Sequence, residues 1–537
     1  MRRVKTITGA VAGGLTSLAV IGLFYLGQQL FDLPLVPFDI FDWLARMLPG
    51  DVITLGIDAI VKIVDTLNLG STSQSAKLIE QLSAAALFVG IGIVLGLLVG
   101  LVSSRVTRSA KQLGLIGGAL LLAILFIVEI TLTSTTVSIG SILWMAIVLL
   151  TWGFSIGAVV DSVGAPTVDE SDQAGRRAVL LRVAAGSIGI AAGSWGLSWL
   201  LGSRESNSGA AQPLAQATPA PTITPVATPS VMATAAVTTR DEIKPAPGTR
   251  TELTATEDFY RIDINTFTPV LKEFEWELQV EGLFDSPRTL TLKDLMEYPV
   301  VTQPITLSCI SNRIGGDLIG TSNWTGLRLR DLLEDLGIQR SAQELMVEAA
   351  DGFFESVTMM DMMDPRTLLV YGMNGKTLPT NHGYPLRVYI PNRYGMKQPK
   401  WITKITAIDH EGTGYWVERG WSKTAHPQIV SVIDSVAVKE VTPDGRIPIG
   451  GIAWAGDRGI QQVDLQFDDG EWVPALLRVP PLSPLTWVQW RYDWDAQPGK
   501  HTIRVRAVDG TGASQIEKET GVRPDGATGY HSVDVSI

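Results

Sequence analysis

Five long apolar runs fill much of the first 202 residues, and they limit the possible folds of this chain more than any other feature. The runs are Ile7 to Leu30, Leu82 to Val102, Leu113 to Leu132, Ile139 to Val160, and Val183 to Leu201. Each is close to the ~20 residues that cross a bilayer as an α-helix. We therefore predict a membrane region with about five transmembrane helices over residues 1–202.

Clusters of basic residues orient this predicted membrane region. They lie at Arg2, Arg3 and Lys5; at Arg105, Arg108 and Lys111; and at Arg176, Arg177 and Arg182. Cytoplasmic loops carry an excess of Lys and Arg, so all three clusters are expected on the cytoplasmic side. With five spans, the sequence predicts a multi-pass protein of the cytoplasmic membrane, in contact with lipid, whose N-terminus is inside and whose residues after Leu201 are outside.

Some features of this region have two interpretations. Arg176 and Arg177 resemble a twin-arginine export signal, but ordinary topology anchors explain them equally well. Glu129, within the third run, is either a functional intramembrane carboxylate or one that reaches the interface. From about Leu35 to Leu69, charged residues are scattered among aliphatic ones, which is typical of an interfacial or re-entrant segment.

Composition narrows the function classes. The 537 residues have a formal net charge of −11 and no Lys- or Arg-rich block, so nucleic acid is not an expected partner. The only cysteine, Cys309, excludes intrachain disulfides and multi-cysteine zinc or iron–sulfur sites. All five histidines follow the membrane region, and no Cys-x-x-Cys-His occurs, so we expect no haem in this chain.

The residues after the membrane region divide into a linker and two domains. Residues 203–250 lack aromatic residues and are rich in Pro, Thr and Ala, which predicts an extended tether. Residues 251–424 mix predicted strands with short helices: Trp276 to Gly282, Leu292 to Tyr298, Leu329 to Leu336, and Leu386 to Ile390. Residues 425–537 contain alternating strands separated by tight turns, which favours an immunoglobulin-like sandwich.

The sharpest local motif places the only thiol between a strand and a glycine-rich loop. It runs from Ile305 through Cys309 to Gly315 and Gly316. A lone cysteine is most often a small buried apolar residue. Three other segments favour a ligand instead: Phe259-Tyr260-Arg261, Gly372 to Arg387, and Tyr394 to Trp401.

Taken in order, these segments resemble the sulfite oxidase-like molybdopterin-dependent oxidoreductases, over about Glu257 to Ile537. Leu307 to Asn312 is similar to the family's molybdenum-cysteine region, and Asn374 to Lys400 to its pterin-binding region. The C-terminal part, with Gly451 to Trp454 and Arg458, is similar to its dimerisation domain. The expected architecture is multi-domain: an N-terminal transmembrane α-helical region, an α+β sulfite oxidase-like molybdopterin domain, and an all-β immunoglobulin-like sandwich.

The resemblance also implies roles for individual residues. Cys309 would be the metal ligand, because molybdenum held by a pterin dithiolene takes a further soft ligand. The implied cofactor-binding residues are Tyr260, Arg261, Cys309, Asn312, Asp351, His382, Arg387 and Lys400. The implied catalytic residues are Cys309, Arg261, Arg458 and Trp421. The two arginines would supply positive charge to an oxyanion.

Two departures from the sulfite-oxidising members bear on the substrate. Those members have a second arginine where this chain has Ile314, and a tyrosine where it has Trp421. The predicted function is therefore oxygen-atom transfer on a small S- or N-oxide-type molecule, with a separate cytochrome or quinone-linked electron carrier and possible homodimers. The alternatives are a sulfite-type oxidase and a non-catalytic extracytoplasmic binding protein on the same fold.

Overall fold

The computed structural model describes residues 2–31, 33–67, 70–132, 138–163, 171–205 and 243–537. These residues divide into two units. The first comprises Met1–Gly70, Ser75–Ala210 and Asp263–Phe267; the second comprises Ser71–Gln74, Ala211–Ile262 and Thr268–Ile537. Most of the predicted linker and the side chains of the predicted export signal at Arg176 and Arg177 lie outside the described residues.

The described residues up to Glu205 form seven helices. They are α1 (Arg2–Phe31), α2 (Val36–Met47), α3 (Gly50–Leu67), α4 (Thr72–Ser103), α5 (Ala110–Leu132), α6 (Ile139–Val163) and α7 (Ser171–Glu205). Four of them, α1, α4, α5 and α6, are long and apolar enough to cross a membrane, whereas α7 contains a shorter apolar stretch, Ala178–Ser194. The fifth span therefore stays a prediction, as do the orientation and the interfacial position of α2 and α3.

Glycines bring pairs of these helices into direct backbone contact. A Cβ added to Gly13 in α1 would lie 1.9 Å from the carbonyl oxygen of Gly92 in α4, and one on Gly96 would lie 1.9 Å from that of Gly9. The α5 and α6 helices approach in the same way, at Gly114 and Gly153. Small residues at helix crossings are typical of membrane helices, which gain their contact energy from close packing.

The second unit begins with an α+β part. Its strands are β1 (Leu278–Gly282), β2 (Arg288–Leu290), β3 (Val300–Ser308), β4 (Ile319–Arg328), β5 (Glu344–Ala349), β6 (Phe354–Thr358), β7 (Leu368–Met373), β8 (Lys376–Thr377), β9 (Arg387–Tyr389) and β10 (Ile402–Ile408). Its helices are α8 (Leu292–Met296), α9 (Leu329–Asp335) and α10 (Met359–Met362). One sheet has the order β2-β1-β10-β5-β6, and the other has the order β3-β4-β7-β8 with β9 also paired to β7.

Apolar side chains from both sheets and from the short helices share one core. Leu332 and Leu333 of α9, Leu345 of β5 and Leu369 of β7 are all fully buried in it. The capping box at Thr291 and Asp294 fixes the start of α8 by satisfying backbone N–H groups that lack a partner within the helix. The mixed α/β architecture predicted for this part is confirmed.

The C-terminal part is rich in β-sheet, as predicted. Its strands are β11 (Val430–Val436), β12 (Ile447–Trp454), β13 (Ile460–Phe467), β14 (Trp472–Pro474), β15 (Leu476–Leu477), β16 (Val488–Trp494), β17 (Lys500–Asp509) and β18 (His531–Ser536). They form two four-stranded sheets, β11-β12-β16-β15 and β14-β13-β17-β18. The alternation in β17 buries Ile503, Val505 and Ala507 against Trp490 of β16, so one core serves both sheets. The immunoglobulin-like assignment stays a prediction.

The helix contact between α1 and α4 generates a testable prediction. Replacing Gly96 by Ala should lower the free energy of unfolding by about 1–3 kcal/mol, because the new methyl group would overlap backbone atoms of α1. Thermal unfolding of the full chain in detergent measures the effect. Gly90→Ala in the same helix is the matched control, since nothing lies within 4 Å of its added Cβ. Equal stability of the two variants would contradict the close contact.

Candidate active site

The loop that joins β3 to β4 holds the only cysteine in a fixed position. The Cys309 amide donates to the carbonyl oxygen of Leu318 at 2.9 Å, and the Leu318 amide donates to Asn312 Oδ1 at 3.0 Å. Gly315 has a φ of +76°, a left-handed conformation that favours glycine and turns the loop back toward β4. Asn312, predicted to lie beside the metal, thus holds this loop closed.

The thiol of Cys309 is buried and is in contact with polar groups. It is 9% exposed, and its Sγ lies 3.1 Å from Ser311 Oγ. Burial raises the pKa of the thiol, although the hydrogen bonds of Ser311 and the charge of Lys400 oppose that shift. A buried thiol of this kind becomes a thiolate when positive charge, such as that of a metal ion, is placed next to it.

Tyr260 lies close to this thiol. Burial is the largest cause that raises the pKa of the Tyr260 hydroxyl; the neighbouring Cys309 raises it further, and Arg387 opposes both. A Cβ on Gly395 would lie only 3.2 Å from this hydroxyl and 3.5 Å from the carbonyl oxygen of Ser308. The absence of a side chain at Gly395 therefore keeps the backbone close to both Tyr260 and the end of β3.

His382 and Arg387 form a buried basic pair beside this tyrosine. His382 is 3% exposed, and its Nε2 donates to the carbonyl oxygen of Thr256 at 3.2 Å. Arg387 is 5% exposed, donates to the carbonyl oxygen of His382 at 3.0 Å, and stacks over the Trp324 ring at 4.8 Å. The structure thus brings together two residues that the sequence predicts as cofactor ligands.

Lys400 and Asp351 lie on neighbouring loops. A Cβ on Gly383 would lie 3.1 Å from the Cβ atoms of both Arg387 and Lys400. The side chains of these two basic residues therefore start close to each other. The ammonium group of Lys400 lies 4.2 Å from the Trp401 ring centroid. The carbonyl oxygen of Trp401 accepts a hydrogen bond from Ala350, which precedes Asp351 in the β5 to β6 turn. Asp351 is buried and accepts from the Phe353 amide at 3.0 Å.

The predicted catalytic residues other than Cys309 have different surroundings. Arg261 is half-buried and directly follows Tyr260. Trp421 is buried in an apolar cluster with Tyr394 and with Ile310, the residue after Cys309. Arg458 instead forms an ion pair, its Nε lying 2.7 Å from Asp509 Oδ2.

Arg458 is also held by two other groups from the same unit. Its guanidinium donates to the carbonyl oxygen of Pro427 at 3.0 Å and to Asn392 Oδ1 at 3.4 Å. Its ion-pair partner Asp509 is 1% exposed. Although burial raises the pKa of Asp509, hydrogen bonds from Thr511 and Arg458 hold that pKa below its usual value. The carboxylate therefore offsets the charge of Arg458, and the role of Arg458 toward substrate stays a prediction.

Sequence reasoning did not assign a role to Tyr394. This residue is 4% exposed, and its hydroxyl accepts a hydrogen bond from the Gln428 amide at 3.0 Å. Burial raises the pKa of Tyr394 to about 12, and the nearby Cys309 contributes to the increase while Arg458 opposes it. Tyr394 directly precedes Gly395 in one of the three segments that favour Cys309 as a ligand. This position is the sequence signal that points to Tyr394.

Sequence reasoning also missed a buried arginine. Arg393 is 9% exposed, and its ion pair with Asp361 has an N to O distance of 2.8 Å. Its guanidinium also donates to the His426 ring. Burial and the charge of Arg393 lower the pKa of His426, so this imidazole is neutral at neutral pH. The contact joins residues 33 positions apart, which no local sequence pattern indicates.

The donor set fits a molybdopterin cofactor. A single buried thiol is the soft ligand that molybdenum takes in addition to a dithiolene. Arg387, His382 and Lys400 supply the N–H donors and positive charge that a pterin and a phosphate require. Gly383 and Gly395 keep the backbone close to these side chains, because a Cβ at either position would lie within 3.2 Å of a neighbouring side-chain atom.

Comparison with known proteins agrees with this geometry. Residues 265–416 match the family model described as an oxidoreductase molybdopterin binding domain. Sulfite oxidase from Arabidopsis thaliana is 30% identical over 251 residues, which cover 37% of this chain and 64% of that protein. The chain thus spans less than two thirds of the length of this relative.

Two further proteins are similar to this chain. The uncharacterized oxidoreductase YuiH from Bacillus subtilis (strain 168) is 29% identical over 28% of this chain and 75% of that protein. The crystal structure of the sulfane dehydrogenase SoxCD from Paracoccus pantotrophus aligns with a TM-score of 0.44 and 24% identity, over 51% of this chain and 78% of that chain. Residues 265–416 therefore match a molybdopterin-binding oxidoreductase domain, and the chain is similar to sulfite oxidases.

Proposed function

We propose that this protein is a membrane-anchored molybdenum oxidoreductase that transfers an oxygen atom to or from a small S- or N-oxide-type substrate outside the cytoplasm. One observation carries the proposal. The buried thiol of Cys309 is fixed at the end of β3, with Tyr260, Tyr394 and Lys400 close enough to influence, or be influenced by, its charge. This is the environment that a single protein ligand to molybdenum requires.

Each side chain of the site has a distinct task in this proposal. Cys309 holds the metal, and Asn312 keeps the loop of Cys309 closed through Leu318. Arg387, His382 and Lys400 bind and orient the pterin and its phosphate. When bound, the cofactor supplies two-electron oxygen-atom transfer chemistry, and the protein positions it and tunes its electrostatics. Tyr394, which is buried, and Tyr260, which is half-buried, limit the access of water to the thiol.

The distribution of charge favours a neutral substrate over sulfite. Arg458 is offset by the buried carboxylate of Asp509. Ile314 stands where sulfite-oxidising members have an arginine, and it lies in the same loop as Cys309. Trp421 adds an apolar ring to the cluster that contains Ile310 and Tyr394. Arg261 is then the main cation proposed to meet an oxygen of the substrate.

A sulfite-type oxidase that passes electrons to a separate carrier is the second candidate. Its support is the sulfite oxidase homologues that match this chain, among them the Arabidopsis thaliana and Drosophila melanogaster proteins. A non-catalytic binding protein is the candidate from another class. The burial of His382 and Arg387 argues against it. Burying polar and charged groups costs free energy, which a bound anionic ligand would partly offset.

The molybdenum content of the full chain tests the proposed function. Expressed in a host that makes the cofactor and purified in detergent, the wild-type protein should contain about one molybdenum per chain, with one thiolate ligand to the metal. Replacing Cys309 by Ser should abolish turnover while pterin stays bound, because the other cofactor contacts remain. Elemental analysis, pterin fluorescence and metal spectroscopy measure these quantities.

Ser311→Ala is the matched control for this experiment, since it removes the hydroxyl 3.1 Å from Cys309 Sγ but keeps the thiol. It should retain molybdenum and most activity. Full activity of the Cys309→Ser variant would contradict thiolate ligation. A well-folded wild-type chain without molybdenum or pterin would favour the binding protein.

The substrate preference can be tested at Ile314. Replacing Ile314 by Arg should raise kcat/KM for sulfite about tenfold or more, because a guanidinium in the Cys309 loop makes a charge-assisted hydrogen bond to the oxyanion. The kcat/KM for a neutral sulfoxide should not rise with it. Ile314→Gln, which has a polar but uncharged side chain, controls for the change in shape. Equal gains for both substrates would contradict the electrostatic explanation.

The export route is tested at Arg177. If Arg176 and Arg177 form a twin-arginine signal, Arg177→Lys should trap the catalytic domain inside the cytoplasm, because the substitution keeps the charge but removes the arginine pair. Accessibility of the domain to protease added to spheroplasts measures its location. Arg182→Lys, a basic residue in the same cluster, is the control. Normal export of Arg177→Lys would leave the pair as topology anchors.

A further inference from the structure

The tip of the loop that carries Cys309 lies against the C-terminal β-sheet part of the same unit. A Cβ added to Gly315 would lie 2.5 Å from Nε2 and 2.6 Å from Cδ2 of His531, the first residue of β18. Non-bonded carbon atoms normally stay about 3.5–4.0 Å from other heavy atoms. The half-buried imidazole ring therefore occupies the space that a side chain at position 315 would take.

One hydrogen bond fixes the orientation of this ring. The Ile433 amide of β11 donates to His531 Nδ1 at 3.0 Å, so the hydrogen of the neutral ring is on Nε2, beside the loop. Burial lowers the pKa of His531, while Asp434 opposes that shift and Arg250 adds to it. Asp434 and Arg250 form an ion pair, with 2.7 Å between Oδ1 and Nη2. The imidazole is therefore neutral at neutral pH.

Both ends of the loop also pack on the C-terminal part. Ile310 directly follows Cys309, and Ile319 is the first residue of β4. These two isoleucines are buried in one apolar cluster with Val432 of β11 and Ile452 of β12. The loop is thus in contact with β11 and β12 at its ends and with β18 at its tip.

Strand β3, which leads into the loop, is hydrogen-bonded to the segment before β16. The Thr306 amide donates to the carbonyl oxygen of Leu485 at 3.0 Å, and the Trp487 amide donates to Thr306 Oγ1 at 2.8 Å. The Ser483 hydroxyl donates to the carbonyl oxygen of Pro304 at 2.5 Å. These bonds fix β3 relative to the sheet that carries Ile433, so the ring of His531 meets the loop in one arrangement.

We infer that His531 is a positioning residue for Cys309, and that the C-terminal part completes the candidate site. The hydrogen bonds of Leu318 with Cys309 and Asn312 join the two ends of the loop, whereas His531 holds its tip. A loop held at its tip as well as its ends keeps the thiol in one place. The matched molybdopterin-binding domain ends at residue 416, so His531 lies outside it. The role toward a metal rests on the proposed function, whereas the contact with the loop does not.

The rate at which N-ethylmaleimide labels the chain tests this inference, because Cys309 is the only thiol. In the full chain, purified in detergent without cofactor, His531→Ala should accelerate labelling about tenfold or more. The reason is that local opening of the loop exposes the buried thiol. Mass spectrometry measures the rate. His501→Ala, which removes an imidazole from the neighbouring strand β17, is the matched control and should label at the wild-type rate.

Two further variants separate the ring contact from the hydrogen bond. In His531→Asn, the side-chain oxygen can still accept the Ile433 amide, but no ring covers Gly315, so labelling should accelerate about as much as in His531→Ala. In Gly315→Ala, the added methyl group would overlap the ring, and labelling should accelerate as well. The double variant Gly315→Ala/His531→Ala removes that overlap. Its effect on the labelling rate should therefore be smaller than the product of the two single effects.

The outcomes separate the contact from its role toward a metal. Wild-type labelling rates in both His531→Ala and His531→Asn would overturn the contact, and so would faster labelling found only in chains that lose circular dichroism. In molybdenum-loaded protein, His531→Asn should change the spectroscopic signal of the thiolate-bound metal while about one molybdenum per chain is retained. An unchanged signal would overturn the positioning of a metal ligand. Labelling does not depend on molybdenum, so a failure of the proposed function leaves the labelling result interpretable.

Discussion

The pairing of β3, β4, β7 and β9 is the constraint on which the candidate site depends. Ser308 pairs with Ile319 at the end of the β3–β4 hairpin, which places Cys309 at the start of the connecting loop. Arg387 lies in β9 of the same sheet, opposite Val370 of β7. Because strand register is fixed by hydrogen bonds along its whole length, a slip in any of these pairs would separate the thiol from the basic residues.

Burying the polar side chains of the site costs free energy when the chain folds. Cys309, His382 and Arg387 are each at least nine-tenths buried, and groups of this type lose hydration when the chain folds. Backbone carbonyl groups and aromatic rings offset part of that loss: Thr256 accepts from His382, and Trp324 packs against Arg387. A bound anionic cofactor would offset more of it. Folding and cofactor binding are then coupled, because a ligand that binds only the folded state stabilises it.

Much of the fold is readable from the sequence because it depends on local periodicity. The alternation from His501 to Ala507 lies within β17, and the short helices predicted from Leu292 and Leu329 begin at those residues. Cys309 was singled out because it is the only thiol and follows a strand. The family resemblance, rather than any pattern of spacing, connected it with His382, Arg387 and Lys400.

What the sequence could not provide were contacts between residues that are far apart in the chain. The Arg393 pair with His426 and the Asp42 contact with Thr266 join positions 33 and 224 residues apart. Neither has a local signature, since each partner alone resembles an ordinary polar residue. The same limit applies to Arg458, whose sequence context suggests a free cation but whose partner Asp509 lies 51 residues later.

The Arg458 contact bears on the proposed role of this residue toward an oxyanion. An arginine paired with a buried carboxylate contributes little net potential, and its guanidinium is held by Asn392 and Pro427 as well. Freeing it to bind an oxyanion would leave Asp509 charged and buried, which costs several kcal/mol. In the proposed function, Arg261 is the residue that would supply positive charge to a substrate oxygen, because Ile314 supplies none.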